Sequence, residues 1–448
     1  MKTKRLFSML ILASLVPISA LADTWQDPET KVNYYYYLPS GTASVGKSPE
    51  AAGSITIFSS INGCTVTAIS QNAFAGCTQL ESIVIPPSVT EINDGAFDGC
   101  TGLEKVVLSE GLVSILNGAF RNCTNLMSID IPSSVVKIGR GDNVNTSYGG
   151  SFESCTGLAS VTLAEGITAI NDYSFKGCTG LQSIVIPSSV VTFGKNIFKD
   201  CTALREVTIK EGVSRLGSYM FSSCTALRTL NLPSTLSVIN NGAFSGCYRL
   251  KTVTIPKEVT RIEEYAFDSC SGLTSVDMMS ASVTRIHDYA FQFCSKLTSI
   301  IIPKGVTYIG REAFDCCHAL ESVTLPSTLN TMDYKAFGYC EAITTIKSYT
   351  INPFSVSSTF DSSVYSKATV YVPMGYKEDY EDTPGWGSFK NIVETDEIEP
   401  DPDDLAYIHK NGEKWGDVNN DGVVDVADIS TIIGIMAGEG SSRLMIDD

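Results

Sequence analysis

Histidine is nearly missing from this chain: 448 residues contain three, His287, His318 and His409. No two are spaced to share a metal, and no nucleophile elbow or glycine-rich phosphate loop accompanies them. Two fall inside repeated units at ordinary polar positions and the third lies near the end, which predicts surface residues rather than bases. Charged residues are sparse at 18%, with a formal net charge of −17. No basic stripe is present to displace counterions from a nucleic acid, so that class of partner is not expected. Beyond residue 22 no apolar run is long enough to span a bilayer as a helix.

The first 22 residues read as an export signal. Lys2, Lys4 and Arg5 precede a mostly apolar stretch over 6–18, and Ala20-Leu21-Ala22 has the small-x-small form of a cleavage site. No cysteine follows that site to take a lipid. The chain is therefore expected to be exported and to act outside the cell or on its surface. Loss of three cations with the signal takes the remainder to about −20, and residues 394–448 carry fifteen acidic and three basic side chains, a net of −12.

What the chain has in abundance is one phrase, written twelve times. The pair Phe-x-x-Cys occurs at Phe74/Cys77, Phe97/Cys100, Phe120/Cys123, Phe152/Cys155, Phe175/Cys178, Phe198/Cys201, Phe221/Cys224, Phe244/Cys247, Phe267/Cys270, Phe291/Cys294, Phe314/Cys317 and Phe337/Cys340. The step is 23 residues apart from one of 32 and one of 24. A period of this size predicts a solenoid, because one unit cannot bury its apolar face without a stacked neighbour. In the second unit Phe97, Cys100, Leu103, Val106, Leu108, Leu112 and Ile115 hold the apolar positions. The alternation through Val106 and Leu108 gives one short parallel strand per coil. Proline after that strand, as at Pro187, ends it without loss of an internal hydrogen bond.

The run A-F-D-G-C-T-G-L-E-K-V-V-L, with its continuation P-x-[ST]-[VL]-x-x-I, resembles the leucine-rich repeat class and in particular the BspA-like bacterial surface proteins, over about residues 61–346. That resemblance implies a repeat scaffold for adhesion or recognition of extracellular proteins or glycans, and no enzyme activity. The segment A-T-V-Y-V-P-x-G-x-K…G-W-x-x-F-x-N-I-V-E also resembles the end pieces that close such solenoids. The expected organisation is a signal (1–22), an N-terminal cap (23–61), the solenoid (62–346), a C-terminal cap (347–393), an acidic linker (394–413) and a terminal segment (414–440).

Fourteen cysteines in an exported protein suggest disulfides. Twelve of them share one repeat position, where in-register side chains point the same way, so a column of small buried thiols is the expectation. Cys64 and Cys316 lie off that column. Strand positions aimed away from the core form two columns, one from Ser82 through Ser160 to Thr345 and one from Val84 through Thr208 to Thr324. These make a ribbon of small hydroxyls, suited to broad, shallow contact. Tyr173, Tyr219, Tyr265 and Tyr289 recur two residues before phenylalanine, either as an aromatic edge or as packing between coils.

The single long step comes from an insertion after Ile138 with a loop composition. It contains Arg140-Gly141-Asp142, similar to the integrin-recognition tripeptide of adhesive proteins, so these three residues are candidate partner contacts. Asn145-Thr146-Ser147 reads as a glycan acceptor triplet.

Near the end stands D-V-N-N-D-G-V-V-D-V-A-D. Asp417, Asn419 and Asp421 fall at positions 1, 3 and 5 of a calcium loop, the Val423 carbonyl at 7, and Asp425 and Asp428 at 9 and 12, with the sharp turn at Gly422. Ile429, Ile432, Ile433 and Met436 then follow at helical spacing. With Gly416 the loop resembles half of a type I dockerin, G-D-V-N-x-D-G-x-[VI]-[ND]-x-x-D. Val426 and Ala427 lie where that resemblance puts contacts to a cohesin-like partner. Dockerins carry two such segments and this chain has one. The implied alternative to adhesion is a non-catalytic subunit of a polysaccharide-degrading assembly, recruited by this tail. Titration calorimetry of the whole chain is expected to show uptake of calcium that Asp421→Ala abolishes; no uptake by the unaltered chain removes the assignment.

Overall fold

The computed structural model describes residues 22–141 and 148–396, together with the backbone of 407–408 and 414–415, which pair antiparallel. Asp142, the triplet 145–147 and the calcium-loop residues Asp417, Asn419, Asp421, Val423, Asp425, Val426, Ala427 and Asp428 lie outside the described residues, as do 1–21.

The chain winds into a solenoid of fifteen coils, each giving one strand to a parallel stack that is hydrogen-bonded in five successive runs. Its rungs run from Gly53–Thr56 and Leu80–Ile85 to Thr345–Ser348, Thr369–Pro373 and Asn391–Thr395. Register is strict: Ser82 faces Lys105, Ser183 faces Glu206, Ser322 faces Thr345 and Thr369 faces Asn391. Period-two alternation puts Ile83, Ile129, Val207 and Val323 inside and their neighbours outside. Most coils add a second, two-residue strand, such as Glu91–Ile92 and Ser114–Ile115, on a separate parallel ladder. At the N-terminal end β1 (Asp23–Gln26), β2 (Asn33–Tyr37) and β3 (Thr42–Val45) form an antiparallel meander that joins this second ladder through Cys64–Ile69. Of the four tyrosines in β2, Tyr34 is buried while Tyr35 and Tyr37 are exposed. At the other end Trp386, Tyr380, Phe389 and Ile392 are buried against the last coils, and Tyr380 bonds Ser348 through its hydroxyl at 2.7 Å.

The core is a pair of columns. Neighbouring phenylalanine rings stack with centroids 4.9–5.7 Å apart and planes within 14° from Phe74 to Phe337. A thirteenth ring, Phe360, extends the stack at 5.5 Å. Each pair of this kind adds about 0.5–1.5 kcal/mol beyond its area burial. The phenylalanine amide donates to a carbonyl of the next coil, as Phe97 does to Ala119 at 2.7 Å.

Beside the rings run the thiols. All fourteen cysteines are free, and the ladder sulfurs are buried. From Cys100 onward each thiol donates to the carbonyl of the preceding coil's phenylalanine, and Cys77 to Ser48, at 3.0–3.4 Å. The thirteenth unit has Ser363 in place of cysteine, and its buried hydroxyl has no partner among the described residues.

Hydroxyls complete the joints between coils. Ser134, Ser189, Thr235 and Thr328 donate to the carbonyls of Leu112, Ile167, Val213 and Val306 at 2.7–2.9 Å. The same oxygens accept from the amides of Gly111, Gly166, Gly212 and Gly305 at 2.9–3.1 Å. In these four units the Ser/Thr of the repeat phrase is thus a structural clamp with two bonds each, whereas the equivalent Ser88 hydroxyl has no partner among the described residues.

Burial pushes ladder thiols such as Cys201, Cys224, Cys247 and Cys270 up, Cys247 to about 12. A raised thiol favours the neutral form in the fold. Its contribution is complete below the unfolded value of about 8.5 and falls as pH climbs toward 12, by about 1.4 kcal/mol per unit per fully buried thiol. Denaturant midpoints are expected to hold between pH 6 and 8 and to drop steeply above pH 9, with native ladder thiols inert to alkylation at pH 8. Rapid alkylation of the folded chain at several thiols contradicts this.

Candidate ligand-binding surface

The strand ladder displays a continuous outer face. In the first column Lys105, Ser128, Ser160, Ser183, Glu206, Thr229, Thr252, Ser275 and Ser299 are exposed, with Ser82, Ser322 and Thr345 half-buried. In the second, Val107, Asp130, Thr162, Val185, Asn231, Thr254, Asp277 and Ile301 are exposed, while Val84, Thr208 and Thr324 are half-buried. Register extends both columns beyond the twelve phrases, to Ser54 and Thr56 at one end and to Thr369, Tyr371, Asn391 and Val393 at the other. The result is a narrow ribbon of short side chains with few charges. Hydroxyls there are also good strand residues, and they leave the backbone close to any partner lying across the face.

The turn edge before each phenylalanine is different in kind. Tyr173, Tyr219, Tyr265 and Tyr289 all hold φ between 54° and 61°, the left-handed region that costs a non-glycine residue roughly 1–2 kcal/mol. Tyr265 and Tyr289 stack at 4.7 Å with planes 4° apart. The Tyr219 ring lies across Gly242, whose φ is +59°, so a Cβ there meets the ring. The tyrosines therefore pack between coils and still form an edge. Further along, Arg311 lies 5.3 Å from the Tyr334 centroid and Lys335 sits 4.6 Å from that of Tyr339. Tyr308 is raised above its ordinary value by burial and by its 2.6 Å hydrogen bond to Asp333.

The described ends of the insertion, 139–141 and 148–150, lie against this edge. The Tyr148 hydroxyl accepts from Gln71 at 2.7 Å and Asn72 at 3.1 Å, and its ring fills the space beside Gly95. Arg140 is anchored as well: its amide donates to Asn117, and its guanidinium pairs with Asp94 at 2.9 Å. The arginine of the tripeptide is thus engaged with the solenoid flank. Gly141 is exposed with φ +77°, beside Asn171.

His287 lies 3.6 Å from Glu263 and edge-on to Tyr308, and His318 is 3.1 Å from the Tyr339 carbonyl. Both sit in contacts between coils, and His409 lies outside the described residues. Among the described residues no group of three His, Cys, Asp or Glu side chains is placed to hold a metal. No helix among them is long and apolar enough to cross a membrane.

A family model described as BspA type Leucine rich repeat region (6 copies) matches residues 54–147, 145–274, 219–344 and 260–369. Curated proteins returned no match. Among solved structures the chain is similar to a leucine-rich repeat protein from Bacteroides ovatus, with 24% identity, a TM-score of 0.47, and 71% of this chain and 93% of that one covered. It is also similar to the pneumococcal vaccine antigen PcpA, at 18% identity and TM-score 0.48, covering 85% and 100%. A leucine rich cell surface protein from Faecalibacterium prausnitzii shares 23% identity at TM-score 0.33, covering 67% and 94%.

Proposed function

Because the chain belongs to the BspA type leucine-rich repeat family, we propose that it is an exported or surface-displayed recognition protein that grips extracellular macromolecules along its strand face. The observation that carries this reading is the row of outward-facing, mostly short side chains, in register within each run of paired strands from Ser54 to Asn391. Such a ribbon distributes contact over many coils, which suits a broad macromolecular partner better than a small substrate. Adhesion to matrix proteins or glycans is the finer form of this proposal, and the basic, apolar start of the sequence supports export.

The spacing of Asp417, Asn419, Asp421, Asp425 and Asp428 supports a second, separate role for the tail: a calcium-ordered tag that attaches the solenoid elsewhere. In that case a cohesin-like partner contacts Val426 and Ala427, and the repeats serve a polysaccharide-degrading assembly without catalysing anything.

The test is binding of the full chain to immobilised matrix proteins and polysaccharides, beside a variant carrying Ser160→Lys, Thr229→Lys and Thr254→Lys on the exposed face. Saturable binding that weakens at least tenfold in the variant, about 1.4 kcal/mol, is the expected result. Binding that is equal in both, or retention only through the calcium-loaded tail, rejects the strand face as the site.

A further inference from the structure

On a chain of net charge −17, one cluster of cations stands without partners. A shallow depression of roughly 270 Å³ is lined by Thr202, Ala203, Arg205, Thr225, Ala226, Arg228 and Arg249. None of these seven is acidic. Among the described residues the three guanidiniums make no ion pair, hydrogen bond or ring contact, whereas other basic groups on the solenoid do, as Arg121 does with Asp98 and Lys210 with Glu165 at 2.9 Å.

The repeat shows how the depression arises. Three columns run along the edge where each cysteine turn enters its strand. Counting from the fifth to the ninth phrase they read Thr179-Thr202-Thr225-Tyr248-Ser271, Gly180-Ala203-Ala226-Arg249-Gly272 and Gln182-Arg205-Arg228-Lys251-Thr274. Backbone bonds hold the third in register: Arg205 N–H to Gln182 at 2.8 Å, Arg228 to Arg205 at 2.9 Å and Thr274 to Lys251 at 2.8 Å. Alanines at 203 and 226 leave a floor, Arg205 and Arg228 flank it, and Arg249 closes one end. The nearest acidic neighbour in sequence, Glu206, belongs to the strand face. Carboxylates return to the third column only in distant coils, at Glu81, Glu104 and Glu321.

We propose that this edge of phrases six to eight is a binding site for a sulfated polysaccharide. Arg205 and Arg228 directly precede the paired strand residues Glu206 and Thr229, so these two cations repeat at one strand spacing, about 4.7–4.9 Å, close to the length of one sugar ring. Guanidinium forks suit the oxygens of a sulfate, giving paired charge-assisted hydrogen bonds. Tyr248, 51% exposed, is the next rung of the column of Thr202 and Thr225, and offers an aromatic face for a pyranose beside hydroxyls for its polar rim. A purely carboxylate chain such as polyglutamate offers no ring or apolar face to stack on it. Exposed charges at this separation act only within a Debye length of about 8 Å at physiological salt, so the local cluster can hold an anion that the molecule as a whole repels. This site borders the strand face at Glu206 and Thr229 but uses other side chains, so either assignment can fail while the other stands.

The probe is immobilised heparin with the full chain, beside Arg205→Ala/Arg228→Ala/Arg249→Ala and a charge-matched control, Lys367→Ala/Lys377→Ala/Lys390→Ala. Circular dichroism checks that both variants fold. The expected result is retention of the unaltered chain and the control, with affinity at least tenfold weaker in the arginine variant. The salt dependence should fall by roughly 0.7 per cation removed, as for single-stranded polyanions. Tyr248→Ala should weaken binding without changing that slope. No retention of the unaltered chain, equal loss in the control, or competition by polyglutamate as effective as by soluble heparin each overturns the proposal.

Discussion

The phenylalanine stack with its adjoining thiols is the joint on which everything else rests. Each inner ring meets one above and one below, and each phenylalanine carbonyl from Phe74 to Phe314 takes the thiol of the following coil. A coil of 23 residues cannot bury a ring of that size alone; the neighbour supplies both faces. This fixes the coil spacing, which in turn sets the register of the strands, the alignment of the outer columns and the side-by-side placing of Arg205 and Arg228. Cysteine suits the position because it is small, apolar enough to be buried and still able to give a weak hydrogen bond. A disulfide ladder needs sulfurs aimed at each other, whereas here each aims at a carbonyl.

The repeat itself was plain in the sequence because a solenoid writes its local rule again in every coil. Phe97, Cys100, Leu103 and Val106 occupy the buried positions that their spacing demands, and the outward columns point where alternation puts them. Two coils at the C-terminal end were harder to see. Phe360 continues the rings, but with serine at 363 and a diverged surrounding the phrase is no longer recognisable. The second ladder was missed for another reason: two residues such as Glu91–Ile92 are too few to show a period. The left-handed tyrosines carried no signal either, since aromatic residues are not the usual occupants of that conformation.

Side-chain partnerships between distant coils were also out of reach of the pattern. Tyr148 crosses to Gln71 and Asn72, more than seventy residues away, and Arg140 finds Asp94 46 residues back. Such contacts depend on how a loop folds over the flank. The depression at phrases six to eight lies between these extremes. Its columns can be drawn from the 23-residue step, yet the absence of partners for its guanidiniums needs the folded surface. A one-dimensional scaffold separates these tasks, with stability in the repeated core and specificity in the few positions that break the repetition.

The central claim is that stability passes from coil to coil through the ring column. Scanning calorimetry of Phe221→Ala, in the seventh phrase, tests it most directly. Removing that ring should cost roughly 3–5 kcal/mol and interrupt the stack, so the melting profile should divide into two transitions for the coils on either side. A single transition, shifted by less than a degree, contradicts the account.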